Sequence, residues 1–415
     1  MEEKLLSKLA VEHGTPLYVY DGRLIEERYR RFYAAFSKRF NRVKACYALK
    51  ANSSLAVCSL LRNLGAGADC VSLGEVLTAL KVGVKPEDII YTSNSKSVED
   101  LEVAVKAGVA INLDSQDELE SLIKVASKLK KTARISFRVN PAINPSTHPK
   151  IATGLKESKF GLHIEGNNAF EAYRMAKSAK NIKIAGVHMH VGSQIQDASN
   201  FTEAAGKLLD FTASLKEKLG IKLDFIDFGG GLGISYHGQK CMQPEDLAKA
   251  LEPIVKNGFK RLGYEPEILL EPGRYLVAEA GVLLTRVNSV KKTPYKKFVN
   301  VDCGFNTLIR PAMYDSFHRV IAVGKKGVQE TCDIAGNICE SGDILAKDRK
   351  LPKLKKGDLL AILDAGAYGM SMASVYNSRP LPAEILVRGK RIDLIRERGG
   401  QEDLYWKQRI PNDLI

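Results

Sequence analysis

The feature that most constrains this chain is the regular alternation of short apolar runs and longer amphipathic segments over its first 280 residues. Short β-branched runs predict buried strands, and apolar residues three or four positions apart predict helices between them. A strand followed by a helix, repeated eight times, indicates an α/β fold of the (β/α)8 TIM-like barrel type, although an open, doubly wound sheet uses the same alternation. The predicted strands are 43–49, 68–72, 88–93, 109–113, 134–140, 184–190, 225–229 and 267–271.

The pattern changes near residue 280, where apolar runs begin to follow one another without helical segments. This pattern predicts a C-terminal β domain, and a strand-like segment at 17–20 is expected to join its sheet. We therefore expect a barrel over 25–280 and a β-sheet domain over 281–415 that includes the N-terminal segment 1–24. The apolar runs on which this prediction depends are 282–287, 298–301, 319–323 and 359–363.

Composition excludes several classes of protein. The 415 residues are 45% hydrophobic, which is enough for a large core and too much for a disordered chain. The net charge of +14 comes from basic residues spread along the chain without interleaved aromatic residues, so no nucleic-acid partner is expected. No apolar stretch is long enough to span a membrane, and the N-terminus lacks the apolar core of a signal peptide. Seven cysteines without a CxxC pair favour reduced thiols and a cytoplasmic location.

Two of the predicted strands end in side chains that carry chemistry. Lys50 follows the first strand, and a lysine in a partly dry barrel mouth can form a Schiff base, although it can also simply extend to solvent. His188 and His190 end the sixth strand and share one of its faces. Two such imidazoles could bind a metal, stack on a flat cofactor, or be hydrogen-bonded core histidines.

The last two barrel strands add an anion site and a carboxylate. Gly229, Gly230 and Gly231 follow the seventh strand, and successive glycines let backbone N–H groups approach a phosphate, although plain turns also use glycine. Glu271 ends the eighth strand, where it could keep a pyridine nitrogen protonated. A lysine, a ring-shaped polar residue, a phosphate cradle and a carboxylate together lead to pyridoxal 5′-phosphate (PLP) as the hypothetical cofactor.

Four motifs carry a resemblance to a known family. They are Tyr47–Asn52 (YALKAN), His188–Gln194 (HMHVGSQ), Gly229–Gly231 (GGG) and Glu271–Arg274 (EPGR). The chain resembles the alanine-racemase-like, fold-type-III PLP decarboxylases, and within them the branch that acts on diaminopimelate. The resemblance extends from about Gly14 to Tyr376 and implies a PLP-binding barrel followed by a β domain.

The resemblance implies a role for each barrel residue. Lys50 would carry PLP as a Schiff base, His190 would stack on the ring, Glu271 would face the pyridine nitrogen, and Asp69 would orient the lysine and the histidine. The residues that would hold the phosphate are Ser193, Gly229, Gly230, Gly231, Gly273 and Arg274.

The resemblance also assigns substrate-binding residues in the β domain. Arg310 and Tyr314, with Arg274 of the barrel, would bind a carboxylate-bearing end of the substrate, for which a guanidinium is suited. Glu340 would bind the distal ammonium group, and Tyr368 would contact both phosphate and substrate. Cys339 would lie near the reacting carbon, and either Cys339 or Lys50 would be the proton donor.

The implied reaction is decarboxylation of meso-2,6-diaminopimelate to L-lysine and CO2, the last step of lysine biosynthesis. The resemblance further implies a homodimer whose active sites are shared between subunits. The competing interpretations are a decarboxylase of arginine, ornithine or carboxynorspermidine, a racemase of the same fold, a metal-dependent barrel hydrolase, and a PLP carrier without catalytic activity. Arg310 argues against the first, and the β domain argues against the racemase and the carrier.

Overall fold

A computed structural model of the chain describes residues 1–143 and 157–414. The strands are β1 (Leu17–Asp21), β2 (Val43–Ala48), β3 (Gly67–Cys70), β4 (Ile89–Thr92), β5 (Ala110–Leu113), β6 (Ala133–Asn140), β7 (Leu162–His163), β8 (Ile182–His188), β9 (Phe225–Asp227), β10 (Glu267–Leu270), β11 (Gly281–Lys292), β12 (Lys297–Val301), β13 (Val320–Ala322), β14 (Gln329–Ala335), β15 (Ile344–Pro352), β16 (Leu359–Ile362), β17 (Ala383–Arg388) and β18 (Arg391–Arg396). The α-helices are α1 (Glu3–Glu12), α2 (Gly22–Ser37), α3 (Leu55–Asn63), α4 (Leu73–Lys81), α5 (Val98–Ala107), α6 (Gln116–Leu129), α7 (Asn168–Ser178), α8 (Ala198–Leu219), α9 (Pro244–Leu262), α10 (Arg274–Val277) and α11 (Arg310–Tyr314).

The described chain divides into two compact units. The barrel unit comprises Ile25–Ser235 and Gln239–Leu276, and the β unit comprises Met1–Leu24, Tyr236–Gly238 and Val277–Ile415. None of the helices within 1–143 and 157–414 is long and apolar enough to cross a membrane.

The barrel unit is a closed sheet of eight parallel strands. The order is β2, β3, β4, β5, β6, β8, β9 and β10, and β10 pairs with β2 to close the barrel. This closure confirms the TIM-like barrel and rules out the open doubly wound sheet. All eight predicted strands are present, with ends shifted by at most two residues.

Local sequence signals position the barrel helices. Ser72 accepts a hydrogen bond from the backbone of Glu75 at the start of α4, and Ser97 forms a capping box with Asp100 at the start of α5. α5 ends at Gly108, whose φ of 79° is a conformation that favours glycine. Because these caps start and stop the helices close to the strands, each strand ends in a loop at the same face of the barrel.

The β unit has a mixed sheet built around β1. This strand lies between β11, with which it is antiparallel, and β17, with which it is parallel. The expectation that 17–20 joins the C-terminal sheet is therefore confirmed. An apolar core that includes Leu9, Leu17, Leu284 and Ile385 stabilises this arrangement, because each of these side chains is fully buried.

A short segment that follows the barrel's glycine loop in sequence packs within the β unit. His237 stacks on Phe317 with ring centroids 4.1 Å apart, and the Tyr236 ring meets His318 edge-on at 5.4 Å. The sequence pattern did not predict that this segment packs within the β unit. Tyr236 and His237 lie between two barrel elements, and their partners are about 80 residues away.

Candidate active site

Lys50 lies just beyond the end of β2, and its amine contacts a buried carboxylate. Lys50 Nζ donates to Asp69 Oδ2 at 2.5 Å, and Asp69 lies on the neighbouring strand β3. Burial and the nearby charge of Glu271 raise the pKa of Asp69, and the Lys50 ammonium acts in the opposite direction. The structure thus brings Lys50 and Asp69 together.

The two histidines of the His-x-His motif both approach Glu271. His188, the last residue of β8, lies with Nε2 3.3 Å from Glu271 Oε1, and His190 Nδ1 lies 3.9 Å from Glu271 Oε2. His190 lies beyond the end of β8, so the prediction that both are strand residues differs from the structure by two positions. The imidazole rings of His188 and His190 point in the same direction for two reasons. Alternate side chains share one face of a strand, and the sheet is closed into a barrel.

His190 presents a neutral ring that a flat ligand can use. Its Nδ1 accepts a hydrogen bond from the backbone N–H of Gly230 at 3.2 Å. Burial, together with the charges of Arg138 and Lys50, lowers the pKa of His190 well below its ordinary value. The side chain is nevertheless 16% exposed, which leaves part of the ring accessible.

Glu271 is the ionised member of a pair of buried carboxylates. Although burial opposes ionisation, the charge and hydrogen bond of His188, together with the charge of Lys50, lower the pKa of Glu271 to about 2. Burial and the charge of Glu271 raise the pKa of Asp227 well above its ordinary value. The two carboxylates therefore differ in their tendency to ionise, since the pKa of Glu271 is lowered while that of Asp227 is raised.

The same side chains could in principle contact a metal ion. Within the described ranges, the potential ligand atoms of His188, Asp227 and Glu271 form the only such group, and they lie within 4.8 Å of one another. All three residues are buried. The same group would also suit a cationic ring nitrogen, because buried Glu271 Oε1 accepts no hydrogen bond although His188 Nε2 lies 3.3 Å away.

The glycine motif approaches other backbone so closely that no side chain fits. A Cβ added to Gly230 would lie 2.1 Å from the carbonyl oxygen of Glu271, and one on Gly229 would lie 2.3 Å from that of Met189. Gly229 and Gly231 also have φ values of 70° and 124°, which favour glycine. The bare backbone that results is what a phosphate site of successive N–H groups requires.

A side-chain pair adds further phosphate donors. Arg274 Nη2 donates to Ser193 Oγ at 3.0 Å, and Arg274 begins the short helix α10 directly after Gly273. A Cβ on Gly273 would lie 3.1 Å from that of Ala48, near the end of β2. The barrel unit therefore brings together the residues predicted to hold the cofactor. These are Lys50, Asp69, His190, Ser193, Gly229, Gly230, Gly231, Glu271, Gly273 and Arg274.

Sequence reasoning missed two polar residues of this site. Arg138, on β6, is 9% exposed, and its Nη2 donates to the carbonyl of His190 at 3.5 Å. Asp227, at the end of β9, accepts from the backbone of Gly229 at 2.8 Å. The available signal was a charged residue inside an otherwise apolar predicted strand, which is rare unless the residue is paired or functional.

The β unit contains the remaining predicted residues. Arg310 is 4% exposed and begins α11, and Tyr314 ends the same helix. Cys339 and Glu340 are exposed, and Glu340 Oε1 accepts from Tyr376 Oη at 2.7 Å. Tyr368 is partly buried with a φ of 57°.

Comparison with known proteins identifies the family. The profile described as "Pyridoxal-dependent decarboxylase, pyridoxal binding domain" matches residues 23–278. The diaminopimelate decarboxylase of Archaeoglobus fulgidus is 47% identical over 412 residues, which are 99% of this chain and 96% of the relative. The chain belongs to the diaminopimelate decarboxylases of the pyridoxal-dependent decarboxylase family.

Solved structures of this decarboxylase family share the whole fold. The diaminopimelate decarboxylase of Methanocaldococcus jannaschii in complex with L-lysine has a TM-score of 0.94 at 42% identity, covering 98% of this chain and 95% of that one. The Helicobacter pylori diaminopimelate decarboxylase with L-lysine has a TM-score of 0.90 at 41% identity, covering 96% and 98%. Family membership confirms PLP as the cofactor. It excludes the interpretations of the chain as a metal-dependent hydrolase, a racemase or a PLP carrier without catalytic activity.

Proposed function

We propose that this chain decarboxylates meso-2,6-diaminopimelate to L-lysine and CO2, the last step of lysine biosynthesis. The observation that carries the proposal is 47% identity to a diaminopimelate decarboxylase over nearly the entire length, β unit included. When bound, PLP supplies an electron sink for the pair left on the α carbon as CO2 departs.

The barrel residues fit this cofactor. Lys50 supplies the amine that binds its aldehyde, and Asp69 orients that amine. Glu271, whose pKa is lowered although it is buried, would keep the pyridine nitrogen protonated, and the His190 ring would stack on the cofactor. Ser193, Arg274 and the glycines of 229–231 would bind the phosphate, and Gly273 lets the Arg274 turn approach β2 closely.

The β-unit residues select the substrate. Arg310 and Tyr314, with Arg274, bind the carboxylate of the non-reacting end, because a guanidinium offers it paired donors. Glu340 binds the ammonium at that end, and Tyr368 contacts phosphate and substrate. The proton that replaces the departing carboxylate comes from Cys339 or Lys50; loss of kcat in Cys339→Ala would identify the thiol as the donor.

We further propose a cytoplasmic homodimer in which 1–24 and 281–415 act as the substrate-selecting domain and 25–280 as the cofactor-binding barrel. The exposure of Cys339 and Glu340, beside an open groove lined by Phe305, Val375 and Tyr376, supports a contribution to a second subunit's site. The seven free thiols suit the cytoplasm.

Two experiments test these proposals. Purified protein is incubated with PLP and meso-diaminopimelate, ornithine or arginine in separate tubes; lysine from the first alone is expected, and product only from another substrate would overturn the assignment. Sharing of sites is tested by mixing Lys50→Ala with Glu340→Ala. Heterodimers would then contain one intact site and restore about a quarter of the wild-type sites, with wild-type KM, whereas unshared sites would give no more than the average activity of the two parent variants.

A further inference from the structure

Arg310 is held by neutral groups within the β unit. Its Nη1 lies 2.8 Å from His318 Nε2, and its Nη2 donates to Ser316 Oγ at 3.2 Å. The guanidinium also lies over the Tyr236 ring, 4.7 Å from its centroid. Each of these three groups fixes the orientation of the guanidinium without neutralising its charge.

The hydrogen bonds of His318 determine its tautomer. Its Nδ1 lies 2.9 Å from the carbonyl oxygen of Leu363, which can only accept, so Nδ1 carries the hydrogen. Its Nε2 faces Arg310, which can only donate, so Nε2 presents a lone pair. His318 is fully buried, which isolates this chain of hydrogen bonds from water.

We propose that His318 is a positioning residue for substrate recognition, acting as the neutral acceptor that orients the Arg310 guanidinium for a substrate carboxylate. This inference rests on the proposed function, in which Arg310 binds the non-reacting carboxylate. A carboxylate in place of the imidazole would hold Arg310 equally well but would compete with the substrate for its charge. An imidazole locked by a backbone carbonyl gives orientation without that competition.

A purely structural role for His318 makes a different prediction. In that case the important bond is the one from Nδ1 to Leu363, as for any core histidine that satisfies a buried carbonyl. Asparagine and glutamine separate the two roles. His318→Asn keeps a donor near the position of Nδ1 and loses the acceptor, whereas His318→Gln places an oxygen near the position of Nε2 and loses the donor to Leu363.

Steady-state kinetics of the PLP-loaded enzyme with meso-diaminopimelate provide the test. His318→Asn is expected to raise KM about tenfold with kcat changed less than about twofold, since the oriented charge contacts the substrate rather than the reacting bond. His318→Gln is expected to stay within about threefold of the wild-type KM. Equal KM values in the two variants, or a larger KM for the glutamine variant, would overturn the proposal.

Arg310→Ala separates this inference from the proposed function. If Arg310→Ala leaves KM unchanged, the assignment of Arg310 to the substrate fails. If Arg310→Ala raises KM and His318→Asn does not, the role of His318 fails alone. In the double variant, the asparagine should add no further rise in KM over Arg310→Ala.

Thermal melts establish that each variant folds. If His318→Asn does not fold, the glutamine variant decides the question alone. A KM within about threefold of wild type would support the proposal, and a rise equal to that of Arg310→Ala would overturn it.

Discussion

The barrel unit and the β unit hold their functional side chains in different ways. In the barrel unit, Asp69 and Glu271 are at most 3% exposed and lie against Lys50 and His188. In the β unit, Arg310 is buried beside His318 and Ser316, while Glu340 is exposed. Charged side chains that set the electronic properties of a cofactor must be held in place before the cofactor binds. Charged side chains that recognise a substrate must remain accessible to that substrate. The predictions below test this difference, beginning with the largest expected effect.

Replacing Lys50 should remove the chemistry of the barrel unit. Lys50→Ala is expected to lower turnover of meso-diaminopimelate by at least about a thousandfold, because no other amine can take its place beside Asp69. Lys44→Ala is the matched control, since Lys44 lies on β2, the strand that precedes Lys50, but pairs with Asp88. Mass-spectrometric detection of lysine measures both, and wild-type activity in Lys50→Ala would contradict the assignment.

The two buried carboxylates should behave differently. Glu271→Gln is expected to lower kcat about a hundredfold, because it removes the charge opposite the ring nitrogen. Asp227→Asn should lower kcat less than about tenfold, since the raised pKa of Asp227 means that a neutral group is replaced by another neutral group. The absorbance spectrum of bound PLP should change in Glu271→Gln alone. Equal losses of kcat would contradict the assignment of the proton to Asp227.

The glycine loop should tolerate no side chain, in contrast to a helical glycine. Gly230→Ala is expected to weaken PLP binding about thirtyfold, because its Cβ would overlap the carbonyl of Glu271. Gly206→Ala in α8 is the control, since no atom lies within 4 Å of an added Cβ there. Fluorescence titration with PLP measures the affinity, and an unchanged affinity in Gly230→Ala would argue against a phosphate site at this loop.

The exposed carboxylate of the β unit should affect substrate binding rather than the cofactor. Glu340→Gln is expected to raise KM for meso-diaminopimelate about tenfold while leaving the PLP spectrum unchanged. Glu330→Gln is the control, because Glu330 pairs with Lys297 on neighbouring strands of the same unit. A changed PLP spectrum in Glu340→Gln, or an unchanged KM, would contradict the proposal that the barrel unit binds the cofactor and the β unit binds the substrate.

The smallest expected effect concerns stability. Because the pKa of Asp227 is raised in the folded protein, the unfolded chain loses this proton at a lower pH, and Asp227 therefore reduces stability increasingly as pH rises above about 4. Asp227→Asn should raise the free energy of unfolding at pH 7, and by less at pH 4. Denaturant unfolding at the two pH values measures this difference, and an equal change at both would contradict the raised pKa.

The sequence predicted the barrel better than the β unit. Each barrel strand is an apolar run, and parallel strands buried on both faces give that signal directly. Strands β14, β15 and β18 were missed because charged residues interrupt them, as in Lys347–Lys350 of β15. Motifs identified Lys50 and Glu271, since each follows a predicted strand. His318 and Arg138 were missed because their roles depend on partners 8 and 52 residues away, a separation that no spacing rule specifies.

The central claim is that the barrel unit holds the cofactor on Lys50. The most direct measurement is reduction of the PLP-loaded protein with borohydride, followed by proteolysis and mass mapping of the modified peptide. The account predicts a pyridoxyl group on Lys50 alone, with Lys96, which is buried against Glu118, unmodified. A pyridoxyl group on another lysine, or on none, would contradict it.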